Sequence, residues 1–177
     1  DRRFVPYNGG LGAEQLAWLR AELAAAAAAS ERVVIMCHVI LHPRACGGGT
    51  MVWDYPEVLE VLRSEEAAGC VVAVLCGHDH FGGYFLDEDG VHHCTFCSSL
   101  NKGDDGRAFG LVHVREDSLE VVGPRVNDLL PDTKRGQPTG RPAATPCDDG
   151  TDAQSIMLEL RSTPAMARNR KTVSARL

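Results

Sequence analysis

No stretch of eighteen or more apolar residues occurs in the 177-residue chain, so no segment reads as a membrane-spanning helix. The longest candidate, Leu16 to Ala29, is broken by Arg20 and Glu22. The opening residues Asp1-Arg2-Arg3-Phe4 lack the apolar run of a secretory signal and lack an initiator Met, as expected of a processed product or a fragment. No second Cys-x-x-Cys partners Cys94-x-x-Cys97, which argues against a zinc knuckle. Strand alternation in "VHHCTFC" also puts those two thiols on opposite faces. The seven cysteines form an odd, scattered set. Cys37, Cys70 and Cys76 sit in or beside apolar runs, where a reduced thiol acts as a small hydrophobe. A reducing, cytoplasmic setting is therefore expected. No internal repeat is present.

What remains is enough for one domain with a core and too little for two. Charge is uneven. Residues 131–177 carry eight Lys/Arg against five Asp/Glu, about +3, which leaves ten against nineteen, about −9, in residues 1–130. An acidic body does not attract phosphate unaided. Bound divalent cations reverse the local sign.

"GGLGAEQLAWLRAELAAAAAAS" reads as a helix, with Leu16, Leu19 and Leu23 at helical spacing. "RVVIMCH" is a short apolar run typical of a buried strand, and "HPRACGGGT" is a loop. "DYPEVLEVLRSEEAAG" returns to helical spacing, with Asp54 as its cap and Gly69 as its stop. "CVVAVLC" is a second buried strand. Next, "GGYFLDEDGVHHCTFC" forms two strands around an Asp-Glu-Asp-Gly turn, and "AFGLVHVRED" with "SLEVVGP" a further hairpin. The expectation is an α/β fold closing into an antiparallel meander. From about Pro131 the pattern is lost. Residues 131–177 read as a largely disordered tail, in which only "SIMLEL" is able to pair or pack; a short helix over residues 156–160 is the alternative.

Two apolar runs end in histidine, "VVIMCH" at His38 and "VVAVLCGH" at His78. Ligands gather at the carboxyl ends of parallel strands, so neighbouring strands would bring His38 and His78 side by side. In an extended segment His80 projects to the same side as His78, and three imidazoles then converge. Neutral imidazole is the commonest protein ligand for a metal. Gly77 is read as keeping a Cβ away from the ions. Isolated, His-x-His is a weak signal; joined to a second strand-ending His and flanking glycines, it is hard to explain as packing.

"VVIMCHVILHP" followed forty residues later by "VLCGHDH" resembles the last two motifs of the calcineurin-like metallophosphoesterases. "YNGGLGAEQLAWL", "GHDHFGGYFLDEDGVHH" and "RAFGLVHV", in that order, favour the manganese-dependent ADP-ribose/CDP-alcohol diphosphatase branch. The resemblance covers roughly residues 6–130. It implies that residues 1–130 are the C-terminal part of a four-layer α/β/β/α sandwich. It also implies two divalent ions, manganese by preference over Zn2+, Fe or Mg2+, with His38 and His78 on one ion and His80 on the other. The implied substrates are small nucleotide diphosphate compounds such as ADP-ribose or CDP-alcohols, not nucleic acid and not a membrane. A cyclic-nucleotide phosphodiesterase is the near alternative within the superfamily.

The chain also departs from that family. Its upstream Asp-x-His, Gly-Asp-x-x-Asp and Gly-Asn-His-Asp/Glu motifs do not occur in residues 1–37. Three neutral histidines do not neutralise two divalent ions, so the chain alone is expected to be inactive or nearly so. A non-catalytic, truncated product is the rival reading. Lesser residues take structural roles: His42 in loop packing, one of His92 and His93 facing inward, His113 toward solvent, and Asp79 directed away from the ligands. Asp104 and Asp105 fit a turn, and Arg168, Arg170 and Lys171 a solvated charge run.

Overall fold

A computed structural model describes residues 3–47, 49–101, 109–124, 126, 130, 140–147 and 153–161. Asp104, Asp105 and the basic cluster at 168–171 lie outside these residues. The elements run α1 (Gly12–Ala28), β1 (Val33–Met36), a 3-10 turn (Pro43–Ala45), α2 (Tyr55–Leu62), β2 (Val71–Cys76), β3 (Gly83–Leu86) and β4 (His92–Thr95). They continue with β5 (Leu111–Val114), β6 (Ser118–Gly123), β7 (Thr145–Pro146) and β8 (Gln154–Glu159). None of the described helices is long and apolar enough to cross a membrane.

The strands form two sheets, ordered β1-β2-β4-β3 and β5-β6-β8-β7. In the first, β1, β2 and β4 are parallel and β3 turns back against β4. The second is antiparallel throughout. The expected meander is thus divided, its first hairpin completing one sheet and its second founding another. Each sheet of four strands has one face against the other. Val72, Ala73, Tyr84 and Cys94 pack there on Leu119, Val121, Ile156 and Leu158. Leu19 and Leu23 of α1 and Val58 and Leu62 of α2 cover the opposite face of the first sheet, over Val71, Val74 and Phe85. A helical layer, a sheet and a second sheet are therefore stacked, three layers of the expected sandwich.

Covered on both faces, β2 is continuously apolar, as buried parallel strands are. β1 differs from expectation. It lies at the sheet edge, is only half-buried, and leaves Met36 66% exposed. An apolar run reports strand propensity, whereas burial depends on what lies beside the strand. The segment 131–177 holds a further difference. "SIMLEL" belongs to β8, an interior strand paired with β6 over six registered positions, and its Ile156 and Leu158 are fully buried. The second core thus extends past residue 130, and the helical alternative at 156–160 is replaced by a strand.

Asp54 also behaves differently. It stands at the N-cap of α2 but makes no side-chain bond to that helix. Its carboxylate accepts from the Leu11 and Gly12 amides, at 3.0 and 2.8 Å, at the start of α1. One carboxylate thus satisfies two orphan donors of the other helix and ties the two helices together. Helix α2 itself ends at Leu62, before the expected stop at Gly69, which serves a later turn with φ +68°. Replacing Asp54 with Ala is expected to destabilise the fold by about 1 kcal/mol in urea denaturation, with Asn retaining most of the stability. Equal stabilities for Ala and wild type would remove the cross-helix cap.

Candidate metal centre

Parallel pairing of β1 and β2 runs past the end of β1. The Cys37 amide donates to Leu75 O (3.1 Å) and the Gly77 amide to His38 O (3.1 Å), so the two histidine-bearing loops leave the sheet tethered. His38 Nε2 and His78 Nδ1 then lie 3.3 Å apart, with their rings edge to face at 5.1 Å. The expected meeting of residues forty positions apart is observed. His80 lines the same cavity of about 600 Å3, together with Tyr7, Thr50 and Phe96.

His78 has φ +67°, a left-handed conformation that costs a non-glycine residue roughly 1–2 kcal/mol. The segment therefore turns at His78 instead of running extended, and the expected same-side projection of His80 from an extended strand does not hold. His80 reaches the cavity from a tight turn, which the Ser98 amide fastens by donating to His80 O (3.1 Å). Gly77 needs less explanation than expected. A Cβ there would meet the His38 ring at 3.5 Å, an ordinary contact.

Asn8, which sequence reasoning passed over, orients His78. Its Nδ2 donates to Arg3 O at 2.7 Å and to Gly49 O, leaving Oδ1 to accept from His78 Nε2 at 2.9 Å. Neutral His78 carrying its proton on Nε2 has its lone pair on Nδ1, facing His38. Partial burial and then the neighbouring His38 hold His78 below the ordinary imidazole range, which favours the neutral form that ligates metals. Fixing the tautomer through the remote nitrogen is the usual support of a ligating histidine. The only sequence signal was Asn-Gly-Gly before a helix, which reads as a turn.

Asp79, between the two histidines of the motif, is 4% exposed. It accepts from the Gly47 amide (2.5 Å), Thr50 Oγ1 (3.0 Å) and the Phe81 amide (3.0 Å), and so braces the loop after β1 against the turn after β2. The donor spacing suits an ion. Two adjacent imidazoles, each ~2.1 Å from one metal, place their nitrogens roughly 3–3.4 Å apart. Among the described residues, no third His, Cys, Asp or Glu completes a ligating group with this pair.

Known proteins carry the same arrangement of sequence. A diphosphatase from Oryza sativa is 39% identical over 134 residues, 76% of this chain and 40% of the relative. The Xenopus laevis protein is 37% identical over 123 residues, 70% of this chain and 34% of the relative. The human protein is 37% identical over 136 residues. All three are named manganese-dependent ADP-ribose/CDP-alcohol diphosphatase. This chain is their homologue. It spans about a third to two-fifths of the length of these diphosphatases. A crystal structure of a dimetal phosphatase from Danio rerio superposes with a TM-score of 0.61 at 35% identity, covering 67% of this chain and 37% of that one. No protein-family model matches the chain.

The remaining histidines of this diphosphatase homologue are structural, though not as alternation predicted. His92 and His93 are both buried, because β4 is an interior strand covered on its two faces. His92 Nδ1 pairs with Tyr84 Oη (2.7 Å), and its Nε2 donates to Glu159 O (2.8 Å). His93 Nε2 meets Asp87 Oδ2 at 3.1 Å. His42 packs between Phe85 and His93 and accepts from the Arg44 amide. His113 is exposed, as expected.

Burial, followed by the nearby His93, lowers the His42 pKa to about 3, and burial lowers His92 as well. Both rings are neutral when folded and protonate near pH 6.5 when unfolded. The unfolded state therefore binds more protons below that value. Stability is expected to be at its plateau above about pH 6.5 and to fall as pH drops toward 3, and His42→Phe to flatten that fall. A pH-independent urea midpoint from 7 to 4 would contradict the neutral core histidines. At the site, His78→Gly is expected to be about 1 kcal/mol more stable than His78→Ala, because glycine carries no left-handed penalty. Equal urea midpoints for the two variants would mean the turn at His78 is unstrained.

Proposed function

We propose that this chain is part of a dinuclear, metal-dependent phosphoesterase that hydrolyses the diphosphate bond of nucleotide compounds such as ADP-ribose or CDP-alcohols. The observation that carries the reading is the His38 Nε2–His78 Nδ1 pair, 3.3 Å apart at the carboxyl ends of neighbouring parallel strands. Names and sequence of the relatives support manganese as the ion.

His38 and His78 would hold one ion through Nε2 and Nδ1, and His80, from the same cavity, would serve the second. Two divalent ions supply Lewis acidity, lower the pKa of a bound water and offset the charge of a diphosphate. The chain's own residues position. Asn8 fixes the His78 tautomer, Asp79 braces the loops beneath, and the wall at Tyr7 and Phe96 offers apolar surface beside the imidazoles. Water adds across one P–O bond of the bridge and two phosphomonoesters leave. The cavity takes a small molecule, and the seven free thiols suit a reducing, cytoplasmic setting.

A non-catalytic role has one observation in its favour, the absence among described residues of a carboxylate beside the imidazole pair. Metal binding and turnover separate the two readings. Calorimetry with Mn2+ is expected to show binding to the chain that weakens at least tenfold in His38→Ala and in His78→Ala. In a full-length protein containing this segment, His80→Ala is expected to lower manganese-dependent ADP-ribose hydrolysis by at least a hundredfold. Unaltered Mn2+ affinity in the first two variants would overturn the shared ion; unaltered turnover in the third would remove His80 from the centre.

A further inference from the structure

Directly before each of the paired histidine segments stands a cysteine. Cys37 directly follows β1 and Cys76 ends β2, and parallel pairing sets their Sγ atoms 3.4 Å apart. Both sulfurs lie over the same carbonyl, Val39 O, at 3.3 and 3.8 Å. Cys76 is buried and Cys37 half-buried, so one thiol meets solvent-borne reagents and the other waits beneath it. No hydrogen-bonding role in the proposed chemistry uses either group.

We propose that Cys37 and Cys76 form a peroxide-oxidisable dithiol whose reversible disulfide displaces the His38–His78 pair. Cys37 Sγ, giving up its proton, attacks one oxygen of a hydroperoxide. The O–O bond breaks, the distal oxygen leaves as water or alcohol, and Cys37 becomes a sulfenic acid. Cys76 Sγ then attacks the Cys37 sulfur. The S–O bond breaks and the hydroxide leaves as water with the Cys76 proton. Two thiols have lost two electrons and two protons, and the peroxide has gained both. A sulfur–sulfur bond is about 2.05 Å long, so closure draws the strand ends together. His38 follows Cys37 directly, and His78 is two residues beyond Cys76; neither imidazole keeps its place when those ends move. Bridges that distort their surroundings are the labile, regulatory ones, and transient bridges of this kind are those found in reducing compartments.

Mass spectrometry of the native chain after brief treatment with hydrogen peroxide tests the assignment. A loss of two hydrogens is expected, mapped to a 37–76 cross-link and reversed by a phosphine reductant. The same treatment in urea supplies the contrast. In the unfolded chain short loops close most readily, so Cys94–Cys97 and Cys70–Cys76 links are expected to outnumber 37–76 by at least tenfold. Native oxidation that scatters over the seven cysteines, or matches the urea pattern, would overturn the site. Cys37→Ser and Cys76→Ser should each abolish the link, while Cys97→Ser retains it. The coupling has its own readout, independent of any metal. The imidazole NMR signals of His38 and His78 are expected to shift on oxidation while those of His113, on the far sheet, stay fixed. A cross-link with unmoved His38 and His78 signals would refute the displacement.

Discussion

Parallel pairing between β1 and β2 is the constraint on which the site rests. Two backbone hydrogen bonds past the end of β1, from the Cys37 amide to Leu75 O and from the Gly77 amide to His38 O, hold two loops in register. Slippage by one residue would invert every side chain beyond and part the two imidazoles. The register is held by burial of β2 on both faces, since Val71 and Val74 pack beneath the helices and Val72 and Ala73 on the second sheet. The proposed chemistry and the sulfur contact thus share one cause. Neither His38 nor Cys37 has a position of its own; each takes the position that the strand pair gives it.

That double burial also governs the interior. On a strand with one wet face, His92 and His93 could not both be inside. On β4 each face is dry, so each ring needs a polar partner, and each finds one: Tyr84 and the Glu159 carbonyl for His92, Asp87 for His93. Asp87 in turn accepts from the Asp89 and Val91 amides, which fixes the hairpin turn, and Arg63 approaches the same acidic cluster. Burial alone would push the Asp87 carboxyl up, but the bonds from His93 and Val91 hold it below the usual range. Acid therefore acts on this core twice, by charging imidazoles that fold neutral and by discharging a carboxylate that folds charged.

Much of this was legible in residue order. Apolar runs of four to six residues gave the strands, the leucine spacing gave α1, and histidines closing two such runs gave the meeting of His38 with His78. What escaped was decided by contacts distant in sequence. Asp54 has the sequence position of a cap for α2, yet its carboxylate serves α1 across a gap of 42 residues. Asn8 reaches His78 across 70. "SIMLEL", legible only as a run able to pair or pack, is short and flanked by polar, proline-containing sequence; it is a strand because β6 offers a partner with matching apolar faces. The turn at His78 was hidden for another reason. Histidine enters the left-handed region more readily than most non-glycine residues, but no residue type announces that turn by itself; in the fold it lies between the Asn8 contact on one side and the Asp79 bracing on the other.

The distribution of anionic groups bears on what the imidazole pair could hold. Carboxylates are abundant in residues 1–130, yet the one inside the Gly-His-Asp-His motif is committed to two backbone amides and a threonine hydroxyl. Turning Asp79 toward the cavity would strip those buried donors of their acceptor, at a cost of about 1–3 kcal/mol for each group left unmade. It would also release the loop that carries His38's neighbours. Imidazole ligands bring no negative charge, and two divalent ions a few ångströms apart repel each other strongly unless an anion lies between them. On the proposed reading this pair would serve one ion, its nitrogens standing 3.3 Å apart. On that reading a second ion would need a carboxylate that the described residues do not bring to the pair. The geometry at His38 and His78 therefore supplies a donor pair, and the charge that the proposed ions would need is a separate structural contribution.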